Sequence, residues 1–245
     1  MQQNWAGNLT YRASEIAQPR SIDEAREIIT SNQKVRLLGT RHCFNDIADA
    51  ATMLNLSQLP RVIEIAPSRD SVKVSGFLRY GDIAPVLEAE GLMLANLASL
   101  PHISVAGAIA TGTHGSGDRI GSLATAVRAL TILTASGEIR ELTRGEAEFN
   151  GAVVSLGALG AVLDVTLDVQ PSVPFAQHVF EGPRWDAILE DFDAVTGVGT
   201  SVSIFTRWLQ AERADMFWVK QAQPDTDADA RDPLAERLGA APAAG

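Results

Sequence analysis

Cysteine is nearly missing: Cys43 is the single one in 245 residues, so no disulfide can form within the chain. That usage fits a reducing compartment, and a cytoplasmic location is expected. Positive charge is also scarce, with 20 Lys and Arg against 30 Asp and Glu, a net charge of −10. Such a balance argues against nucleic acid as a partner and against anionic membranes. No apolar run is long enough to span a bilayer. Residues 1–8 lack a basic region followed by an apolar stretch, so no signal peptide is expected. The Gly-x-Gly-x-x-Gly and Walker lysine patterns do not occur, which leaves NAD and P-loop readings without support. Gly-x-Ser-x-Gly is absent too. His42, His102 and His114 stand at no zinc spacing and have no cysteine or acidic partners at ligand distance in sequence, so no metal is expected.

What is present is a chain with 46% hydrophobic residues, enough for a buried core. Asn4 to Tyr11 reads as a short opening strand. Ser21 and Glu24 make a capping box before Ile22, Ala25, Ile28 and Ile29, predicting a helix over 21–31. Strands are expected at 35–39, 53–56, 61–66, 71–77, 127–134, 139–143 and 162–169, with a second helix capped by Asp82 and running to Glu90. This alternation is an α+β pattern. Pro171 and Pro174 mark a boundary. Beyond it come strands at 175–180, 201–205 and 216–220 and a helix at 185–194. Residues 221–245, acidic and then Ala/Pro-rich, read as a poorly ordered tail.

The stretch from Ser99 to Gly117 is unusual. Gly107, Gly112, Gly115 and Gly117 remove Cβ atoms, Ser104, Thr111, Thr113 and Ser116 add hydroxyls, and Ser104 can cap a short helix to Ala110. A phosphate-binding surface and an ordinary irregular loop both satisfy this pattern.

The run PHISVAGAIATGTHGSG resembles the pyrophosphate-binding loop of the vanillyl-alcohol-oxidase-type (PCMH-type) flavoproteins, and most of all that of the alditol oxidases and sugar-lactone oxidases. NWAGNLTY, VRLLGTRHCFNDIA and VVSLGALGAVLDVTLDV follow the alditol oxidases in the same order. The resemblance implies two small α+β subdomains holding FAD over residues 1–172. It implies the start of an incomplete α+β substrate (cap) domain over 173–220, in a chain that looks C-terminally truncated. The implied reaction is hydride transfer from the terminal carbinol carbon of a polyol to flavin N5, with O₂ reduced to hydrogen peroxide. An aldonolactone substrate and a flavin-binding fragment without turnover are the alternatives.

His42 matches the family's flavin-linked histidine, so covalent FAD is implied. Gly39, Thr40, Arg41 and Cys43 surround it, Arg41 standing where the family has glycine and Cys43 where it has serine. Cys43 reads as a small packed residue. Ser99 matches a serine near the flavin and the bound polyol, with Ala98 beside it. Ser104, Gly107, Thr111, Gly112, Thr113 and His114 lie along the flavin by the same likeness. A third contact zone covers Ser155 to Val162 and Thr166. Its glycines serve either ligand approach or close strand packing. No general base is assigned.

Overall fold

The structure is a computed structural model that describes residues 2–13, 15–222 and 231–243, with backbone alone at 231 and 232. The chain divides into two units, residues 1–115 with 122–171 and residues 116–121 with 172–245.

The first unit holds two sheets. Strands β1 (Ile16–Ala17), β2 (Val35–Leu37) and β3 (Thr52–Leu54) form a parallel sheet in the order β1-β3-β2. Helix α1 (Ile22–Thr30) covers it, beginning at Ser21, whose side chain accepts from the Glu24 N–H. Ala25 and Ile29 on its inner face pack with Leu54, Leu56, Leu133 and Leu163. The helix falls where the 3.6-residue spacing places it, because its apolar stripe has a sheet to cover.

Strands β4 (Ile63–Ile65), β5 (Ser71–Ser75), β7 (Val127–Leu133), β8 (Ile139–Thr143) and β9 (Ala161–Asp168) make a five-stranded antiparallel sheet ordered β4-β5-β9-β7-β8. On β9, Ala161, Leu163, Val165 and Leu167 are buried and alternate with half-buried neighbours, the period-two pattern of a sheet with one face on a core. Helix α2 (Tyr80–Ala89) packs Tyr80, Ile83 and Leu87 into that core. It starts two residues before the predicted cap. Asp82 is its third residue and accepts from the Arg79 N–H at 2.9 Å, so the carboxylate serves the helix start from inside the first turn. Short β6 (Leu92–Met93) pairs with β10 (Gln170–Pro171), and α3 (Val105–Ala110) and α4 (Phe149–Val153) complete the unit.

The opening strand predicted at residues 4–11 is instead a tight turn. The Asn4 N–H donates to Leu9 O at 3.0 Å, and Gly7 has φ +72. Ala6-Gly7-Asn8 has turn chemistry, and that local preference outweighs the strand character of the flanking residues.

The second unit is an antiparallel sheet ordered β12-β13-β11-β14, from β11 (Phe175–Glu181), β12 (Ser201–Phe205), β13 (Met216–Ala222) and β14 (Ala241–Pro242). Helices α5 (Trp185–Glu190), α6 (Phe192–Thr196) and α7 (Arg231–Leu238) pack on it around Phe180, Ile188, Val195, Phe217 and Leu238. The tail expected to be poorly ordered departs from that reading over residues 231–243. Ala235 and Leu238 are buried, and β14 pairs with β11. Leu234, Ala235 and Leu238 lie three to four apart, so a short apolar stripe suffices once a sheet offers it a core. Residues 223–230 of that tail lie outside the described residues. Residues 116–121, expected within the first domain, belong to this unit. Ser116 Oγ is 2.5 Å from Ser201 Oγ, and Thr196 Oγ1 donates to Asp118 at 2.6 Å.

Candidate functional site

The loop after β2 is held from two sides. The buried Asn4 side chain donates to Cys43 O at 2.9 Å and to Asn8 Oδ1 at 2.7 Å, and it accepts from the Leu9 N–H. The Trp5 N–H donates to Arg41 O at 2.8 Å. From the other side, Thr40 Oγ1 accepts from the Ser104 N–H at 3.2 Å and lies 3.2 Å from His42 Nδ1. Three rings then meet. Trp5 stacks on His42 with centroids 5.1 Å apart, and His102 sits 4.6 Å from His42. Burial, then the neighbouring His102, lowers the pKa of His42 below the ordinary imidazole value, which favours the neutral ring. Its Nε2 is buried with no protein partner among the described residues. Burial pushes the Cys43 thiol up, so it is no thiolate nucleophile.

The glycine-rich stretch does less chemistry than its composition suggests. A Cβ on Gly39 would run into Ser104 Oγ, and one on Gly107 would meet the same oxygen at 2.7 Å. Both glycines therefore make the niche for one buried serine. Ser104 precedes α3 as expected, yet its side chain makes no cap hydrogen bond. Gly112, at φ +67, ends α3. Its N–H donates to Ile109 O and that of Thr113 to Ala108 O, the paired bonds of a left-handed helix terminus. Gly115 lacks a Cβ because Asn96 and the Leu97 carbonyl press against it, and Gly117 because the Thr200 carbonyl does.

A cavity of about 520 Å³ lies against these loops. That size falls within the roughly 300–1,000 Å³ typical of small-molecule and cofactor sites. Of the residues singled out from sequence, Gly39, Thr40, Arg41, His42, Cys43, Ser104, Gly107, Thr111, Thr113 and Val162 line it. The structure does not bring Ser99, Gly112, His114 or Thr166 to its wall. Ser99 is exposed, in the turn before the Pro101 carbonyl that caps Gly81. His114 is exposed and turned to the Gly115 carbonyl. Thr166 stands four residues along β9 from Val162, paired with Lys73 and Ala129. In the third zone, Leu156 at φ +54, Gly157 at φ +68 and Gly160 all line the cavity, and a Cβ on Gly160 would in addition strike the Leu133 carbonyl. The two uses of glycine considered there are thus both present, and Gly160 serves both.

Sequence reasoning missed Tyr11, Arg36, Phe44, Asn45, Gly76 and Phe77 on this wall. It also missed the ring contacts of Trp5 and His102. Turn residues in Ala6-Gly7-Asn8 were the available signal that the N-terminal segment folds back rather than running on as a strand. Among the described residues no group of three or more His, Cys, Asp or Glu side chains is placed to hold a metal ion. No helix among them is long and apolar enough to cross a membrane.

A loop-lined, largely apolar cavity of this size in a mixed α+β fold is of the kind that holds a small molecule or a cofactor. The sequence profile described as "FAD binding domain" matches residues 13–143, and the chain belongs to that family. It is 43% identical over 209 residues to an alditol oxidase of Streptomyces sp. (strain IKD472 / FERM P-14339), covering 84% of this chain and 50% of that protein. It is 35% identical to the L-gulonolactone oxidase of Bos taurus, over 78% of this chain and 45% of that one. A D-arabinono-1,4-lactone oxidase of Yarrowia lipolytica is 29% identical, over 89% and 41%. The chain spans about half the length of the curated relatives it matches.

Proposed function

We propose that residues 1–172 hold FAD, tethered covalently through an imidazole nitrogen of His42, as the flavin domain of an oxidase acting on a polyol CH–OH group. Residues 173–220 are read as the start of its substrate domain. The observation that carries this reading is the setting of His42: it lines the cavity, burial and His102 lower its pKa, and it has a buried ring nitrogen with no protein partner among the described residues. A protonated imidazole has no free lone pair to bond carbon, so lowering its pKa is what the role requires.

The residues present fit the cofactor. Apolar walls from Leu37, Leu38, Phe77 and Ile103 suit a flat ring system, and Thr40, Ser104, Thr111 and Thr113 supply hydroxyl groups. Arg36 and Arg41 bring positive charge to a cavity that would receive two phosphates. Bound FAD would supply the redox chemistry, taking a hydride from the carbinol carbon and passing electrons to O₂ to give hydrogen peroxide. The protein's part is orientation. Asn4 and Trp5 fix the His42 loop, and the Trp5 and His102 rings hold the imidazole plane.

An alditol is the favoured substrate because the alditol oxidase is the relative of higher identity, 43% against 35% for the L-gulonolactone oxidase. Polyols and aldonolactones compared in a peroxide assay decide between them. The tether is tested by intact mass after denaturation. The unsubstituted chain gains one FAD, and His42→Ala gains none. A tether retained in His42→Ala would refute the assignment.

A further inference from the structure

Tyr11 is among the most buried side chains of the first unit, 1% exposed, and its ring packs with Ala13, Leu38 and Met53. Its backbone is pinned as well, the N–H donating to Gln2 O at 2.9 Å. The hydroxyl is a different matter. It is buried, it has no hydrogen-bond partner among the described residues, and the residue lines the 520 Å³ cavity. A phenol left unsatisfied inside a protein costs free energy, and natural proteins rarely keep one without a use.

Two acceptor groups close enough to act on Tyr11 already serve other donors. Both Asp49 carboxylate oxygens are taken by Arg12, one by its N–H at 3.0 Å and one by its guanidinium at 2.8 Å. The Cys43 carbonyl is taken by Asn4. Burial, with Cys43 next in effect, raises the Tyr11 pKa, so the group remains a neutral O–H donor throughout the physiological range. An anchored ring, an unpartnered donor and a place on the cavity wall together point to the cavity's occupant as its acceptor.

We propose that Tyr11 is a cofactor-binding residue, its O–H donating a hydrogen bond to an oxygen or ring nitrogen of FAD. This rests on FAD as the occupant of the cavity. It extends the site into the N-terminal segment ahead of residue 13, where the family match begins.

The inference separates two quantities that an ordinary core tyrosine would couple. The hydroxyl has no partner among the described residues of the ligand-free chain, so its removal leaves ligand-free stability unchanged or higher. With FAD bound, the same change loses a hydrogen bond. The test mixes FAD with the unsubstituted chain and with Tyr11→Phe, and follows saturation of the initial quench of flavin fluorescence before linkage forms. Thermal melts of both ligand-free chains are recorded alongside. The expected result is about tenfold weaker FAD binding by Tyr11→Phe with an equal or higher Tm. Equal affinities would overturn the proposal, and so would a lowered Tm, which would show that the hydroxyl has a structural partner. If the unsubstituted chain captures no FAD, the cofactor reading fails and this inference with it. If it captures FAD and Tyr11→Phe matches it, only the Tyr11 assignment fails.

Discussion

Arg41 and Gly112 share a left-handed backbone, φ +67 at both, in two loops of the same unit. At Gly112 the residue type suits the conformation, and the reason is internal: the position ends α3. At Arg41 it does not. The strain is held by the N-terminal turn, since Arg41 O accepts from the Trp5 N–H and its guanidinium reaches Gln3 O at 3.4 Å. The loop rich in glycine thus spends its glycines on packing. The loop poor in glycine carries a strained residue and a histidine of lowered pKa whose Nε2 has no partner among the described residues. Strain that the surroundings impose clusters where function is, and glycine content alone does not mark it.

The comparison breaks first at Gly39. Gly39→Ala drives a Cβ into Ser104 Oγ and is expected to cost about 2–3 kcal/mol, as overpacking does. Gly39→Ala with Ser104→Ala should recover most of that loss, because the Ser104 Cβ would lie 3.5 Å away, an ordinary contact. Urea denaturation of both chains checks this, and a double variant no more stable than the single one would show that Gly39 serves something other than the serine niche. Gly112→Ala comes next, with an expected loss of about 1 kcal/mol from a non-glycine residue in the left-handed region. FAD capture should survive that change, since Gly112 does not line the cavity. A loss of capture without a loss of stability would return Gly112 to the site.

Arg41→Gly has the opposite sign. Relief of the left-handed strain, less the extra freedom glycine gives the unfolded chain, should leave the variant equal or up to about 1 kcal/mol more stable. If Arg41 also pairs with phosphate, the same variant binds FAD more weakly while melting higher, and that divergence would sharpen the contrast between the loops. The smallest effect is a titration. In the ligand-free chain His42 should titrate below 6.5 by NMR, because burial, His102 and Arg41 disfavour its charge more than Thr40 favours it. Trp5→Ala, by opening the ring to water, should move the midpoint back up. A midpoint at or above 6.5 in the unsubstituted chain would remove the neutral-imidazole argument.

Legibility in the sequence followed the range of the interaction. Helix α1 was legible because Ser21, Glu24 and the Ile22–Ile29 stripe are local signals, and β9 because its alternation has period two. His42 was legible through its neighbours in the chain. Tyr11, Trp5 and His102 were not: the first two reach the cavity or His42 only after the N-terminal turn closes through Asn4 onto Cys43, 39 residues away, and His102 only where the Ser104 N–H meets Thr40, 64 residues away. Ser99, His114 and Thr166 looked like site residues by motif, and the backbone between them and the cavity turns them elsewhere. Helix α7 was hidden because a short apolar stripe gains little until a sheet is there to receive it.

By itself the sequence determined the family, the α+β pattern, and the histidine beside the cavity, because local propensity and short motifs are written residue by residue. Tertiary structure alone decided which glycines make room for protein and which for a ligand. It also decided which polar atoms are left without partners, because a missing hydrogen bond is a property of everything packed around an atom.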